Sequence, residues 1–409
     1  MIQVNDNTAI NFKDTLIGPI PAEWEICRLS EIAAVKYGKA KPHGQGDIPV
    51  LGSSGIYTWV DKPLVDYPTI VIGRKGSAGQ VWLTKTPSWI ADTAFFLEWR
   101  TNVNIEYLAA YLHLHKLSGE HAKTTMPSLQ KQDLENLLVA LPPSPEQLRI
   151  AAVLNTIQNE ITAQDDLINE TREFKRSLMQ QLFTYGAGEQ PAETKETEIG
   201  EIPGHWEVKQ LGDVVQSTQY GLSERAEETG KYPMLRMNSL VDGRIDTRDL
   251  KFIDLDENSF KKFRLRPGDI LFNRTNSLEL VGKTSIFDIA DHFVFASYLV
   301  RVITKADILL PGYLNFYLNT DQAQARLKML ATRGVSQSNI NAAKLRLFKI
   351  PVPPSLEEQR EIATQLDIVD TKIAAEEDRK AALQDFFKTM LHQLMTGQIR
   401  LLSDDGLPL

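Results

Sequence analysis

The stretch IGPIPAEWEICRLSEI, residues 17–32, occurs a second time as IGEIPGHWEVKQLGDV, residues 199–214. Trp24 in the first copy corresponds to Trp206 in the second. A second pair of landmarks follows, LPPSPEQLRIAAVLNTI at residues 141–157 and VPPSLEEQREIATQLDIV at residues 352–369. The spacing between the landmarks is longer in the second copy, and the ends of the repeat agree better than its middle. A duplicated frame of this kind predicts two similar modules that carry divergent inserts.

A long helical pattern follows each Pro-Pro pair. Apolar side chains recur there in steps of four and three residues, which is the spacing of a coiled-coil seam. Neither pattern contains a glycine before Gly186 and Gly397, so each helix is predicted to run for about forty residues, or about 60 Å. Ser144 and Ser355 are candidate N-caps. The seam is predicted at Ile150, Leu154, Ile157, Ile161, Ile168, Leu178 and Leu182, and at Ile362, Leu366, Val369, Ile373, Leu383, Phe387, Met390 and Leu394.

The two helices are expected to pair with each other, because one amphipathic helix of this length cannot bury its apolar stripe alone. Antiparallel pairing is expected, since a whole module lies between the helices and returns the chain. Polar seam positions would fix the register at a cost in stability; they are Gln164, Thr171, Lys175, Glu376 and Lys380. Two unrelated core helices are the alternative.

The modules themselves have mixed α/β patterns. Short runs of apolar and β-branched residues bounded by glycines predict strands, whereas two longer patterns predict helices. The predicted strands are residues 68–73, 79–83, 93–97, 269–273, 282–287 and 293–302, and the predicted helices are residues 107–117 and 312–330.

Composition restricts the cellular compartment and the kinds of partner that are expected. The chain has 409 residues, a net charge of −8 and a single cysteine, Cys27, so no internal disulfide is possible. No signal-peptide pattern and no apolar stretch of membrane-spanning length occurs, which predicts a cytoplasmic protein with no membrane association. The acidic total argues at first against a nucleic-acid partner, but residues 195–350 carry 22 Lys and Arg against 20 Asp and Glu. Local patches decide nucleic-acid binding, and net charge reports mainly on solubility.

No catalytic motif is found in the sequence. Leu and Val precede the Pro-Pro pairs, where an adenine methyltransferase motif requires Asp or Asn. The Gly282-Lys283-Thr284 triplet lacks the earlier glycine of a phosphate-binding loop. Asp249-Leu250-Lys251 has the form of some nuclease sites, although a solvated strand end is the more ordinary interpretation. His113 and His115 would point apart on a helix, so no metal site is expected.

Taken together, the landmarks resemble the specificity subunits of type I restriction–modification enzymes. The resemblance is carried by the paired I-G-x-I-P-x-x-W motifs, the paired P-P-S-x-E-Q and P-P-S-x-E-E-Q helix starts, and the helix endings LMQQLFTYG (178–186) and MLHQLMTGQI (390–399). It implies double-stranded DNA, two methyltransferase subunits and restriction subunits as partners. It also implies no cofactor in this chain, with S-adenosylmethionine bound by the methyltransferase partner. The alternatives are a stand-alone nuclease or methyltransferase with an unrecognised site, the specificity subunit of a related type II methyltransferase–nuclease, and a coiled-coil scaffold.

The predicted fold class is α+β, with two mixed α/β target-recognition domains in a tandem repeat separated by two long α-helices that form an antiparallel coiled coil. The predicted division is a first target-recognition domain (1–143), a spacer helix (144–185), a linker (186–198), a second target-recognition domain (199–354), a second spacer helix (355–397) and a tail (398–409).

The candidate DNA-reading residues lie in polar loops that contain Arg, Lys, Asn, Gln, Ser and Thr, the side chains that bond to base edges and phosphates. The alternative for each loop is an ordinary polar turn or a helix cap. In the first module the candidates are Arg74, Lys75, Ser77, Lys123, Thr124, Thr125 and Ser128. In the second module they are Arg236, Asn238, Ser239, Asn273, Arg274, Thr275, Asn276, Arg333, Ser336, Gln337 and Ser338. Trp24 and Trp206 are instead expected to pack in the cores.

Overall fold

A computed structural model describes residues 11–115, 117, 128–188, 191–334 and 337–402. The chain divides into two compact units, the first formed by residues 1–165 with 378–409 and the second by residues 166–377. Each unit contains one α/β module together with one half of each long helix. The predicted fold class is therefore confirmed, although the unit boundaries fall within the two long helices and not at their ends.

The first unit is built on a four-stranded antiparallel sheet in the order β4-β10-β7-β8. A three-stranded sheet in the order β6-β5-β9 is formed by strands that alternate along the chain with those of the first sheet. It contains the parallel pair β5 and β9. Strands β3 and β11 close the module by pairing Arg28 with Leu138. The strands are β1 (Phe12–Lys13), β2 (Ile20–Pro21), β3 (Glu25–Arg28), β4 (Ala33–Tyr37), β5 (Ile48–Gly52), β6 (Gly55–Val60), β7 (Thr69–Gly73), β8 (Val81–Thr84), β9 (Trp89–Ile90), β10 (Ala94–Trp99) and β11 (Leu138–Leu141), and the helices are α1 (Leu29–Ile32), α2 (Ile105–Leu114) and α3 (Lys131–Glu135). The long helix α4 spans Ser144–Tyr185.

The second unit repeats this topology. Its four-stranded sheet has the order β15-β24-β20-β22, its three-stranded sheet the order β19-β16-β23, and its closing pair is β14 with β27. The strands are β12 (Thr194–Thr197), β13 (Gly200–Pro203), β14 (Glu207–Gln210), β15 (Val215–Tyr220), β16 (Tyr232–Leu235), β17 (Leu240–Val241), β18 (Arg244–Ile245), β19 (Lys251–Ile253), β20 (Ile270–Asn273), β21 (Thr275–Asn276), β22 (Thr284–Ile286), β23 (Val294–Phe295), β24 (Leu299–Thr304), β25 (Thr332–Arg333), β26 (Ser338–Asn339) and β27 (Lys349–Val352). The helices are α5 (Leu211–Val214), α6 (Glu257–Phe263), α7 (Pro311–Leu318), α8 (Asp321–Leu330), α9 (Ala342–Arg346) and the long α10 (Leu356–Met395).

The repeated tryptophans explain the repeated Glu-Gln motifs. Trp24 and Trp206 are fully buried, as predicted. The indole of Trp24 donates a hydrogen bond to the Glu146 carboxylate (3.2 Å), and that of Trp206 donates to Glu358 (3.0 Å). Each tryptophan thus ties the first turn of its module to the start of the long helix that follows the module.

The glutamines of the same motifs satisfy buried backbone groups. In the first unit Gln147 accepts from the Asn104 N–H and donates to the Pro142 carbonyl. In the second unit Gln359 accepts from the Leu310 N–H and donates to the Ile308 carbonyl. A buried backbone group without a partner is costly, so these amides fix the junction between sheet, helix and long helix.

The long helices pair in antiparallel fashion within each unit. In the first unit Arg379 bonds to Glu160 (2.9 Å) and Lys380 to Asp165 (2.5 Å). In the second unit Lys175, predicted as a polar seam residue, forms an ion pair with Asp370. Every predicted apolar seam residue is buried or half-buried. The last turn of α10 packs in the core of the first unit, and the last turns of α4 pack in the core of the second.

Several element boundaries differ from the sequence prediction. The predicted helix 312–330 is two helices, because Thr320 ends the first by donating to the Tyr317 carbonyl (2.8 Å) and caps the second by accepting from the Ala323 N–H (3.1 Å). The predicted strand 293–302 is interrupted between β23 and β24, where the Leu299 N–H bonds to the Ala296 carbonyl in a turn.

Two further differences concern the chain between and before the long helices. Residues 186–198 were predicted as a linker, yet β12 lies within them and pairs with β13. Ser355 accepts from the Glu357 N–H (3.1 Å) as a helix cap, whereas Ser144 is itself the first residue of α4. Within the described ranges, no helix is long and apolar enough to span a membrane.

Candidate nucleic-acid interface

In the first module the structure brings two predicted loops together. Arg74 and Lys75 follow β7, and Lys75 forms a β-bridge with Ser128. The Leu129 N–H donates to the Arg74 carbonyl (2.9 Å). The Ser77 hydroxyl lies 3.0 Å from that of Ser54. Lys123, Thr124 and Thr125 lie outside the described residues.

Arg74 rests on an aromatic surface that the sequence prediction missed. Its guanidinium carbon lies 5.3 Å from the ring centroid of Tyr37 and 5.9 Å from that of Phe95, within the range of cation–π attraction. The ammonium of Lys131 lies 6.0 Å from the Tyr37 ring on the same patch. Tyr37 is 50% exposed, so one face of a positively charged aromatic cluster is open to solvent.

In the second module the equivalent loops form a three-stranded sheet, β21-β26-β25. Thr275 and Asn276 of β21 pair with Asn339 and Ser338 of β26, and Arg333 of β25 pairs with Ser338 on the other side. Two of the predicted candidate segments therefore form a single structural element. Gln337 and Arg333 are exposed at its edge, while Ser336 lies outside the described residues.

Arg274 repeats the arrangement of Arg74. Its guanidinium carbon lies 4.9 Å from the ring centroid of Tyr220, and its Nε donates to the Ser297 carbonyl (2.8 Å). Tyr220 is 43% exposed and accepts a hydrogen bond from the Ala342 N–H (2.9 Å). The arginine is held in place while part of its side chain faces solvent.

The third candidate segment, Arg236 to Ser239, touches the same surface but is largely engaged internally. The Asn276 amide lies 3.3 Å from the Met237 sulfur, which places this segment beside β21. Arg236 forms an ion pair with Asp249 (3.0 Å), and Asn238 donates to the same carboxylate (2.7 Å).

Three of the predicted reading residues have buried side chains. Ser239 accepts from the Arg236 N–H (3.2 Å), and Asn273 is fully buried and donates to the Leu280 carbonyl (3.3 Å). Ser338 is also buried. A buried side chain cannot reach a base edge without rearrangement, so these three residues position the loops that carry the exposed ones.

The two tyrosines could have been found in the sequence. Tyr37-Gly38 and Tyr220-Gly221 are both Tyr-Gly pairs and lie within one residue of the offset shared by the two tryptophans. A Cβ atom on Gly38 would collide with the Ala91 carbonyl, and one on Gly221 with the Phe295 carbonyl. Glycine is required at both positions because backbone passes so close.

Two groups with raised pKa values belong to the scaffold and not to the candidate loops. Burial raises the pKa of the Asp269 carboxyl, and the Arg266 N–H and the Arg301 guanidinium oppose that rise. Burial, together with Glu31 and Glu25, raises the pKa of the Cys27 thiol to about 11. This thiol is therefore protonated at neutral pH and is a poor nucleophile. No group of three His, Cys, Asp or Glu side chains that could hold a metal ion occurs among the residues described.

The fold and the loops define a tandem recognition protein, in which two copies of one scaffold present different polar side chains at equivalent places. A family model described as the type I restriction modification DNA specificity domain matches residues 21–170 and 203–385. The chain belongs to this family.

Named relatives agree with this assignment. The chain is 27% identical over 416 residues to the type I restriction enzyme MjaVIII specificity subunit of Methanocaldococcus jannaschii, covering 95% of this chain and 96% of the relative. It is 23% identical over 262 residues to the type I restriction enzyme EcoKI specificity subunit of Escherichia coli K12, covering 63% of this chain and 55% of the relative.

Solved structures share the fold. The type I restriction-modification S subunit from M. genitalium superposes with a TM-score of 0.61 at 16% identity, over 96% of this chain and 98% of the other. A chain from a study of complex assembly and conformational transition in the type I R-M system superposes with a TM-score of 0.55 at 17% identity, over 93% and 99%.

Proposed function

We propose that this chain is the DNA-specificity subunit of a type I restriction–modification enzyme, and that each module reads one half of a bipartite target. The observation that carries this proposal is that scaffold contacts are shared between the modules beside different exposed and half-buried side chains. Lys75 and Ser77 occupy the loop of the first module, where the second presents Thr275, Asn276 and Gln337. Such side chains distinguish bases through hydrogen bonds in the grooves.

The partners proposed for this chain are two methyltransferase subunits and, in the complete enzyme, restriction subunits. An exposed phenylalanine occupies the same repeat position on each long helix: Phe174 is 58% exposed and Phe386 is 49% exposed. An exposed aromatic side chain on a helix is a typical anchor for a protein partner. Two equivalent anchors fit two copies of one partner.

The chain is proposed to have no catalytic role of its own, with S-adenosylmethionine bound by the methyltransferase partner. Several polar groups at the loops are bound internally, among them the side chains of Arg236, Asn238 and Asn273. Asp249, the carboxylate of the nuclease-like triplet, accepts hydrogen bonds from Arg236 and Asn238.

Co-expression with the cognate methyltransferase subunit tests the proposal. Mapping of methylated adenines in the host DNA should reveal one motif made of two half-targets, and the methyltransferase without this chain should not methylate that motif. The chain purified alone should show no methyl transfer and no magnesium-dependent cleavage. Turnover by the chain alone, or a methylation pattern that does not depend on it, would contradict the assignment.

A further inference from the structure

Tyrosine and arginine form the same pair in both modules, although the surrounding inserts have diverged. Tyr37 ends β4 and Tyr220 ends β15, which are equivalent edge strands of the two four-stranded sheets. Arg74 directly follows β7 and Arg274 directly follows the equivalent strand β20. The guanidinium-to-ring distances are 5.3 Å and 4.9 Å.

The backbone around each arginine is bonded in the same way. The Arg74 N–H donates to the Thr93 carbonyl (2.8 Å), and the Arg274 N–H donates to the Tyr298 carbonyl (3.0 Å). The carbonyl of each arginine accepts from an N–H two residues before a short helix, that of Leu129 before α3 and that of Ile340 before α9, at 2.9 Å in both modules. The two arginines therefore occupy equivalent, rigidly defined positions.

Neither arginine is neutralised by the residues that the structure describes. Among the described residues, no carboxylate forms an ion pair with Arg74 or Arg274. By contrast, Arg236 is paired with Asp249 and Arg301 with Asp269. A half-buried guanidinium held on an aromatic ring and lacking a counterion is suited to bind an external anion.

The equivalence of the two pairs identifies the anion. If the modules read different half-targets, the feature that both half-targets share is the sugar–phosphate backbone. We propose that Arg74 and Arg274, positioned by Tyr37 and Tyr220, each bind one backbone phosphate in their own half of the target. This inference rests on the proposed function and assigns both arginines to affinity that is independent of base sequence, leaving discrimination to the residues that differ.

The test measures the salt dependence of DNA binding by the full-length chain with its methyltransferase partner. The plot of log affinity against log salt concentration has a negative slope. Arg74→Gln and Arg274→Gln should each make this slope shallower by about 0.9, and the double variant should make it shallower by about 1.8. At 0.1 M salt each single variant should lose roughly fivefold to tenfold in affinity. The loss should be equal on the target and on a duplex with both half-targets scrambled, so that their affinity ratio stays within about twofold.

Matched controls separate charge from folding. Arg248→Gln should leave the slope unchanged, because Arg248 lies in the same module but is bound bidentately to Asp246. Arg274→Lys should retain the slope, since it keeps the positive charge. With the unaltered protein, a scan of neutral methylphosphonates along the target should find one sensitive phosphate in each half. The effect of that substitution should not add to the effect of the corresponding Arg→Gln change.

The outcomes are distinct. If the variants lost affinity for the target alone, the arginines would be base readers and the inference would be overturned. An unchanged salt dependence would also overturn it. So would full additivity between the Arg→Gln change and every methylphosphonate substitution. The proposed function would instead be contradicted if the unaltered protein did not prefer a duplex with the motif found by methylation mapping over the scrambled duplex.

Discussion

In the first module Lys75 forms a β-bridge with Ser128, where the described part of the second loop segment begins. In the second module the equivalent segments form a three-stranded sheet around Ser338 and Asn339. Behind these loops the modules agree closely in their sheets, their tryptophan–glutamate bonds and their glutamine contacts. The comparison indicates that the scaffold is kept in both modules while the loops built on it differ.

The largest expected effect comes from exchanging one whole insert. Residues 29–137 lie between β3 and β11, whose paired ends at Arg28 and Leu138 would be retained. Replacing these residues with those of a related chain should change one half-target completely and leave the other unchanged. Mapping of the methylated motif in cells measures this, and a change in both halves would show that the modules do not read independently.

The two glutamates at the starts of the long helices differ in burial. Glu146 has a side chain that is 3% exposed and binds Trp24 and the buried Arg400, whereas Glu358 is 18% exposed and binds Trp206 and the half-exposed His205. Glu146→Ala should lower the free energy of unfolding by about 3 kcal/mol, because it leaves a buried cation less well paired.

Glu358→Ala should lower the free energy of unfolding by only about 1 kcal/mol, since water can replace part of its bonding. Urea denaturation of both variants checks the difference. Glu357→Ala, one residue away and paired with exposed Arg360, is the control and should have almost no effect. Equal losses for Glu146→Ala and Glu358→Ala would mean that burial does not set the contribution of this bond.

The sequence was sufficient to predict the frame, because its landmarks are local and repeated. Trp24 and Trp206 and the apolar seam could be recognised from spacing alone. The contacts of the loops could not, because they depend on pairing between segments far apart in the chain, such as Thr275 with Asn339. The burial of Asn273 could not be predicted from the sequence either, since Asn is a typical surface and turn residue.

The divergent loop residues are expected to discriminate bases. Asn276→Ala should cost about 1–3 kcal/mol in the preference for the second half-target, because a lost amide removes hydrogen bonds to a specific base edge. Ser77→Ala should affect only the first half-target, by about 1 kcal/mol. Competition binding with duplexes altered in one half at a time measures both effects.

The control for these loop variants is Asn319→Ala in the second module, which removes an internal amide bond to the Thr284 carbonyl (3.0 Å). It should reduce stability and should not alter the order of preference among duplexes. If Asn276→Ala weakened binding to all duplexes equally, Asn276 would contribute to the loop's structure and not to recognition.

The smallest effect is expected at the hairpin β17-β18, which belongs to the additional segments of the second module. Arg244 of this hairpin lies 3.8 Å from Asp367 and 3.7 Å from Asp370 on α10, and the Gly243 carbonyl accepts from the Asn315 amide (3.0 Å). Long, partly exposed ion pairs contribute little, so Arg244→Ala should lower the free energy of unfolding by less than about 1 kcal/mol. Asn315→Ala should lower the free energy of unfolding by about 1–2 kcal/mol, because its bond to the hairpin is buried.

Neither variant should change the methylated motif if the hairpin only stabilises the module. A changed second half-target in either variant would show that the hairpin takes part in reading DNA, and the recognition surface of the second module would then extend beyond β21, β25 and β26.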